Sequence, residues 1–490
     1  MRSHPLALVL AAGSLAGCAV GPDYVRPPIS APAAFMGQAA VEARPATASA
    51  PDLVSWWRGF NDPQLTRFVE LSLDQNLDLA KAMARVTQTR ASLSAATAAL
   101  LPSGEVNGSA GRARLSLATE QGSIAASSPG FTRDSDNYEL DLGASWEIDL
   151  FGGLRRSREA ARADYQGSEA GLAAARVAVA AETADTYVLI RSLQARLAVA
   201  RSQVQTQQRL LDTVRLQFSK GVAAQLQVDQ AQGALRQVEA TVPVLDAGLE
   251  QALNALDVLL GAQPGTYRRE LLAEAPLPTA PAITQAGGPA ELLRRRPDLI
   301  VAERNLAGSN ARVGAAIAEF YPKVSLSGLA GAASAQTSTL FTGDAGEASG
   351  MAGLRWRLFD FGRVNAGIAA AKGGRAEALA SYKLAALRAT EDVEDNFAIL
   401  VRREAQEKTL TDGEAALDRA RKASLAAYKG GVVSLIEVLD ADTRYLDTRD
   451  ARVQAQAEAA RAAIASFRAL GGGWDAPAQV AQLGQVTGRP

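Results

Sequence analysis

The chain has 490 residues, 48% hydrophobic but only 5% aromatic, with 51 basic and 52 acidic side chains. This near-neutral balance leaves no electrostatic footprint for nucleic acid. The only histidine is His4 and the only cysteine is Cys18, so a mature chain beginning at Cys18 has no Ser-His or Cys-His catalysis, none of the usual zinc sites and no intrachain disulfide. No metal or cofactor is expected, and the one enzyme class left formally open works through paired carboxylates.

Residues 1–17 combine a short basic start, Met1-Arg2-Ser3-His4, with an apolar run from Pro5 to Leu15. They end in Leu15-Ala16-Gly17-Cys18, the pattern of a lipoprotein signal peptide cleaved before a cysteine that is then acylated. Ala19 after the cysteine, where an inner-membrane lipoprotein carries aspartate, points to the outer membrane. Residues 18–52 read as an extended tether rich in Ala and Pro.

A first structural repeat is expected over 53–262. Asp62-Pro63 reads as an N-cap and first turn of a helix running to about Leu100, stopped by Pro102. Two strands follow between about 103 and 150, around a polar loop from Glu120 to Asp136. The second strand alternates strictly. Tyr138, Leu140, Leu142, Ala144, Trp146, Ile148 and Leu150 share one face, against Glu139, Asp141, Glu147 and Asp149 on the other. Such a period of two belongs to a strand between two different solvents. From Gly153 a helix of roughly 65 residues, about 100 Å long, is predicted to Phe218. Its seam of Ile190, Leu197, Val204, Leu211 and Phe218, seven residues apart, predicts packing against a neighbouring helix. Lys220-Gly221 turns the chain, and one return helix is expected towards Gly261.

After a Pro/Gly-rich connector (263–289), the pattern recurs over 290–475. Arg294-Arg295-Arg296-Pro297-Asp298 marks a helix start, and the helix ends at Phe320-Tyr321-Pro322. Strands are expected at about 323–331 and 350–361, followed by a long hairpin over 362–470 that turns at Gly430-Gly431. Trp356 repeats Trp146, and Tyr428 to Val433 repeats Phe218 to Ala223, at an offset of 210 residues in both cases (356 − 146 and 428 − 218). Residues 476–490 form a tail. The expected class is therefore α+β with two tandem repeats, each of two membrane strands and a coiled-coil helical hairpin. A bilayer tolerates strands only in a closed barrel, and the smallest have about eight. Four strands per chain leave two readings: several copies contribute to one barrel, with Glu139, Asp141, Glu147 and Asp149 lining a lumen, or the strands are not transmembrane and form a soluble sheet with one buried face. The alternative is a lipid-anchored coiled-coil adaptor without a pore, which leaves the two-faced strands unexplained.

Several motifs carry a resemblance across essentially the whole chain. They are Gly17-Cys18 with Gly21-Pro22-Asp23-Tyr24, Asn61-Asp62-Pro63-Gln64-Leu65, Gln75-Asn76-Leu77-Asp78-Leu79, Arg296-Pro297-Asp298 with Ala302-Glu303, Tyr321-Pro322 and Val438-Leu439-Asp440-Ala441. The chain resembles the TolC-like outer-membrane factors, in particular their OprM/NodT-type lipoprotein branch. The resemblance implies a homotrimer with a twelve-stranded barrel in outer-membrane lipid, continued by a helical barrel across the periplasm. It implies two partners, a periplasmic adaptor and an inner-membrane RND-type transporter, and passive export without chemistry. It also implies a periplasmic gate at Asp440, with Glu437 and an apolar constriction at Ile436. Adaptor-binding tips are expected at Lys220, Gly221, Gly430 and Gly431. Val433 stands where the TolC branch carries a basic residue.

Overall fold

The computed structural model describes residues 19–30, 32–44, 52–273, 275–283 and 287–475. Cys18, the expected signal peptide and the tail from 476 lie outside the described residues. In chain order the elements are α1 (Gln38–Glu42), a 3-10 helix (Leu53–Phe60), α2 (Pro63–Gln75), α3 (Leu77–Ala98), β1 (Ser103–Arg114), α4 (Glu120–Ala126) and β2 (Asp134–Ile148). Then come α5 (Gly153–Ser219), α6 (Gln225–Glu239), α7 (Thr241–Leu259), α8 (Arg268–Leu271), α9 (Pro289–Arg295) and α10 (Pro297–Ala318). After β3 (Lys323–Ser334), a 3-10 turn (Gly343–Ala345) and β4 (Gly346–Arg355), α11 (Arg363–Lys429) and α12 (Leu435–Ala469) complete the chain. Helices α5 and α11 are each 67 residues long and start 210 residues apart (363 − 153). No described helix is long and apolar enough to cross a membrane.

The chain divides into two compact units. One takes in the described residues up to Pro27, Thr87–Gly167 and Glu303–Ser381. Its centre is a four-stranded antiparallel sheet in the order β1-β2-β3-β4. Directly opposed residues of antiparallel strands point to the same face, so the register carries most of the alternation of β2 onto its neighbours, with Leu329 and Met351 on the polar face and Arg112 and Arg114 on the other as exceptions. Val106 faces Leu142, and Leu142 faces Ala330; Trp146 faces Leu326, which faces Ala352; Ile148 faces Val324, which faces Leu354. The other face holds Glu105, Asn107 and Ser109 of β1, Glu139, Asp141 and Glu147 of β2, Ser325 and Ser327 of β3, and Glu347 and Ser349 of β4.

Two tryptophans tie the sheet to the preceding helices. The Trp146 indole donates to the Leu100 carbonyl at 3.0 Å, and Trp356 donates to that of Phe320, also at 3.0 Å. Each accepting carbonyl lies two residues before a proline, Pro102 or Pro322, past the last helical residue. The segment after the expected acylation site is strapped down as well. The Val20 amide bonds the Phe151 carbonyl, and Arg156 reaches the Val20 and Gly21 carbonyls and the Asp23 carboxylate. Gly21 has φ +93°, and a Cβ there would lie 2.5 Å from Cα of Gly314. Only glycine suits that conformation and that approach.

The second unit holds Pro28–Val86, Ser168–Ala302 and the chain from Tyr382. Its main core gathers Trp56, Phe60, Leu65, Phe68, Tyr187, Ile190, Leu256, Phe397 and Phe467. Trp56 is fully buried and stacks on Phe467 with ring centroids 5.5 Å apart. Asp62 caps α2 by accepting from the Gln64 and Leu65 amides, with Pro63 in the first turn. Its other oxygen takes the Tyr187 hydroxyl, whose pKa burial pushes up to about 12. The guanidinium of Arg296 donates to the carbonyls of Ala389 and Ala469 and pairs with Asp298 and Asp392. The basic run, expected to mark a helix start, instead closes a helix: Arg294 and Arg295 form the last turn of α9 and Arg296 is its C-cap, with α10 starting at Pro297.

Several boundaries differ from the sequence reading. The expected helix from Asp62 to Leu100 breaks at Asn76, which turns extended and caps α3 through the Asp78 and Leu79 amides. The single return helix expected after Gly221 splits at Ala240 into α6 and α7, because Pro243 has no N–H to carry the ladder. The second half lacks that proline, and α12 runs unbroken. The fourth strand ends at Arg355, so Trp356 to Phe361 are not part of it. There Asp360 accepts from the Gly362 and Val364 amides to open α11. The first polar loop contains α4, and the tether contains α1. Asp149, expected with the strand acids, lies beyond β2, where its carboxylate accepts from the Leu154 and Arg155 amides and serves α5 as a cap.

Candidate functional site

The two long hairpins turn by the same backbone device. At the first tip Gly221 has φ +76°, and the Val222 and Gly221 amides bond the Gln217 and Phe218 carbonyls. At the second Gly431 has φ +73°, and the Val432 and Gly431 amides bond the Ala427 and Tyr428 carbonyls. This is a helix ending in a left-handed glycine that satisfies its last carbonyls. Lys220, Gly221, Gly430 and Gly431 are all exposed, as the sequence predicted of tips.

The gate candidates follow the second tip on the first turns of α12. Ile436 is 60% exposed. Glu437 closes a capping box by accepting from the amide and hydroxyl of Ser434 at 3.3 Å each. Asp440 is exposed and pairs with Arg444 one turn on, at 3.0 Å. Both carboxylates therefore have local partners. An exposed pair of this kind is worth only about 0.3–0.5 kcal/mol, so Asp440 is held weakly.

The polar face of the sheet brings Glu139, Asp141 and Glu147 together on β2, with Glu105 and Glu347 beside them on β1 and β4. Glu139 accepts from Ser109 and Asn137. Asp141 leans over Gly331, where a Cβ would collide with its carboxylate. The apolar face is open: Leu142, Val106 and Leu354 are 58%, 68% and 69% exposed. The outer strands β1 and β4 each have one neighbour. An uncovered apolar face between unpaired edges demands a covering solvent or partner.

The family model for "outer membrane efflux protein" matches residues 68–262 and again 288–472. The chain is an outer-membrane efflux protein. It is 30% identical to the outer membrane protein OprJ of Pseudomonas aeruginosa over 479 residues, 95% of each chain. It is 29% identical to nodulation protein T of Rhizobium leguminosarum bv. viciae over 487 residues, 97% of this chain and 95% of that one. The solved outer-membrane channel OprN superposes with a TM-score of 0.84 at 34% identity, over 93% of this chain and all of that one. The fold is that of a TolC-like outer-membrane channel, and the efflux channel belongs in the outer membrane, as the sequence resemblance implied.

The structure of this efflux channel adds groups that the sequence reading passed over. Tyr428, 8% exposed, donates its hydroxyl to Gln217 at 2.7 Å, joining the ends of α11 and α5. Asp442, two residues past Asp440, is only 4% exposed. It accepts from the Gln207 amide at 3.4 Å and lies 3.9 Å from Arg421. Burial pushes its pKa up, and the Arg421 charge opposes that. A signal was present in the sequence: Leu435, Val438, Asp442 and Tyr445 follow a three-four-three spacing, so Asp442 occupies a core position of an otherwise apolar stripe.

Proposed function

We propose that three copies of this chain close a twelve-stranded barrel in the outer membrane and form one passive efflux conduit. The observation that carries this reading is the four-strand register: from Leu140 to Ile148 one face is apolar across the sheet, giving way to the Arg112–Asp136 and Arg114–Asp134 pairs at its far end, while the other face is mainly polar and both edges are free. The apolar face meets lipid, and Tyr138 and Trp146 suit the two interfaces. Glu139, Asp141 and Glu147 face the lumen, and Asp149 serves the helix instead. Each chain is two tandem repeats, 53–262 and 290–475, whose hairpins α5/α6–α7 and α11/α12 build a helical tunnel.

The tips form the periplasmic entrance. Three Asp440 carboxylates converging on the axis would attract cations and repel anions, with Glu437 and the apolar Ile436 beside them. A periplasmic adaptor engages Lys220, Gly221, Gly430 and Gly431, and an inner-membrane RND-type transporter delivers the cargo. An acyl group on Cys18 adds an anchor. Nothing in this arrangement acts chemically on what it passes. Purified protein added to planar bilayers should give discrete conductance steps and run as a trimer in detergent. A monomeric, non-conducting helical rod would instead support the lipid-anchored adaptor.

A further inference from the structure

Behind the tips, α5, α11 and α12 line an open cleft of mixed polar and apolar wall, about 460 Å³ in volume, in the second unit. Asp442 is the one acid in its wall. As an anion it is poorly served. Gln207 donates to it at the outer limit of a hydrogen bond, and Arg421 Nε at 3.9 Å is beyond one. Arg421 is drawn elsewhere, bonding Asp418 at 3.1 Å and lying over the Tyr445 ring at 4.6 Å. Meanwhile Gln207 Oε1 and Arg421 Nε are both buried without a hydrogen-bond partner in the protein. A buried polar atom left unmatched is costly, and the cluster holds an unsatisfied acceptor on α5 and an unsatisfied donor on α11, with one carboxyl between them.

The two protonation states of that carboxyl answer these two needs separately. A neutral carboxyl accepts from Gln207 Nε2 and donates its O–H to Gln207 Oε1, a reciprocal acid–amide pair between α12 and α5. An ionised carboxylate has nothing to offer Oε1 and is best matched by the guanidinium of Arg421. The other charged or titratable groups facing the cleft are Arg209 on α5, Lys422, Tyr428 and Lys429 on α11, and Tyr445 and Arg449 on α12. Lys422 shares Asp418 with Arg421, and Arg449 faces Glu414; Arg421 is the cation placed 3.9 Å from the Asp442 carboxylate.

We propose that Asp442 is a proton-operated catch between the two helical hairpins of one chain. Protonated, it ties α12 to Gln207 of α5; ionised, it turns to Arg421 of its own hairpin and lets α5 go. Acid then holds the tip end together and neutral pH loosens it. The consequence for conduction rests on the tips being the entrance, while the catch itself does not.

Two readouts separate these claims. The first is bilayer conductance between about pH 4 and pH 8. The second is the distance between spin labels on Arg215→Cys and Thr443→Cys, which needs no conduction. Wild-type conductance and label distance should rise together with pH. Asp442→Asn, which keeps an amide-type pair at every pH, should abolish both steps and stay at the acid-side values. Gln207→Ala should stay at the alkaline-side values. Arg421→Gln should move the midpoint up by about one pH unit, since the cation favouring the anion is gone. Asp440 and Glu437 are present in all four proteins, so the differences belong to the cleft. Steps retained by Asp442→Asn, or a midpoint unmoved by Arg421→Gln, overturn the catch. A label distance that follows pH as described in a protein that never conducts upholds the catch and sinks the conduit.

Discussion

Replacing Arg296 by Met should cost the second unit about 3 kcal/mol. The guanidinium side chain is 12% exposed, with carbonyl acceptors at 3.3 Å on Ala389 and Ala469 and carboxylates at 2.7 and 3.0 Å on Asp298 and Asp392. Burial opposes its charge, and the bonds to Asp298 and Asp392 outweigh that and hold its pKa above the ordinary value. A hydrogen bond from a charged donor is worth about 1.5 kcal/mol at its weaker end, a fair figure for two rather long ones. Ala469 ends α12, where a cation also meets the negative end of the helix. The two carboxylates are about half exposed, so each pair adds only a few tenths of a kcal/mol after screening. The sum is about 3 kcal/mol, over a hundredfold in the unfolding equilibrium. Urea unfolding followed by circular dichroism reads it. Arg296→Lys should recover less than half, because an ammonium cannot reach four acceptors in one plane. Wild-type stability in Arg296→Met, or full rescue by Lys, would refute the reasoning.

Other consequences concern the tip, the strap and acid sensitivity. Asp440→Ala should raise single-channel conductance or weaken block by multivalent cations. Arg444→Ala, by uncovering the carboxylates it now neutralises, should strengthen that block; unchanged block in both removes Asp440 from the gate. Gly21→Val should free the segment from Val20 to Asp23, exposing it to limited proteolysis while the circular dichroism spectrum stays unchanged. Equal resistance would mean that the strap tolerates a side chain at φ +93°. The bond from Lys323 lowers the pKa of Glu319, burial opposes this, and the charges of Lys323, Arg357 and Arg355 lower it further. Its contribution is therefore present above the ordinary carboxylate pKa and lost as pH falls through the depressed value. Glu319→Gln should be less stable than wild type at pH 7 and equal to it in strong acid; a gap that persists in strong acid would contradict this.

The sequence was legible where local chemistry decides the structure. The alternation of β2, the two helix-ending glycines and the Asp62-Pro63 start each depend on residues a few positions apart, and each appears as expected. The Asn76 and Pro243 breaks were also local, but long amphipathic periodicity masked them. Asp149 was misplaced because alternation alone does not say where a strand stops; the demand of the α5 amides for a cap does. Asp442 was the hardest to see. Its burial depends on α5 residues more than 200 positions away, and in sequence it differs from exposed Asp440 only by its place on the stripe.

In the proposed trimer the barrel closes by pairing β1 of one chain with β4 of the next. Pairing a cysteine at Asn107 of β1 in turn with single cysteines along 346–354 of β4 tests it in outer membranes under oxidation. One register should yield covalent dimers and trimers on a denaturing gel and nothing larger. Monomer at every position, or ladders extending beyond trimer, would contradict it.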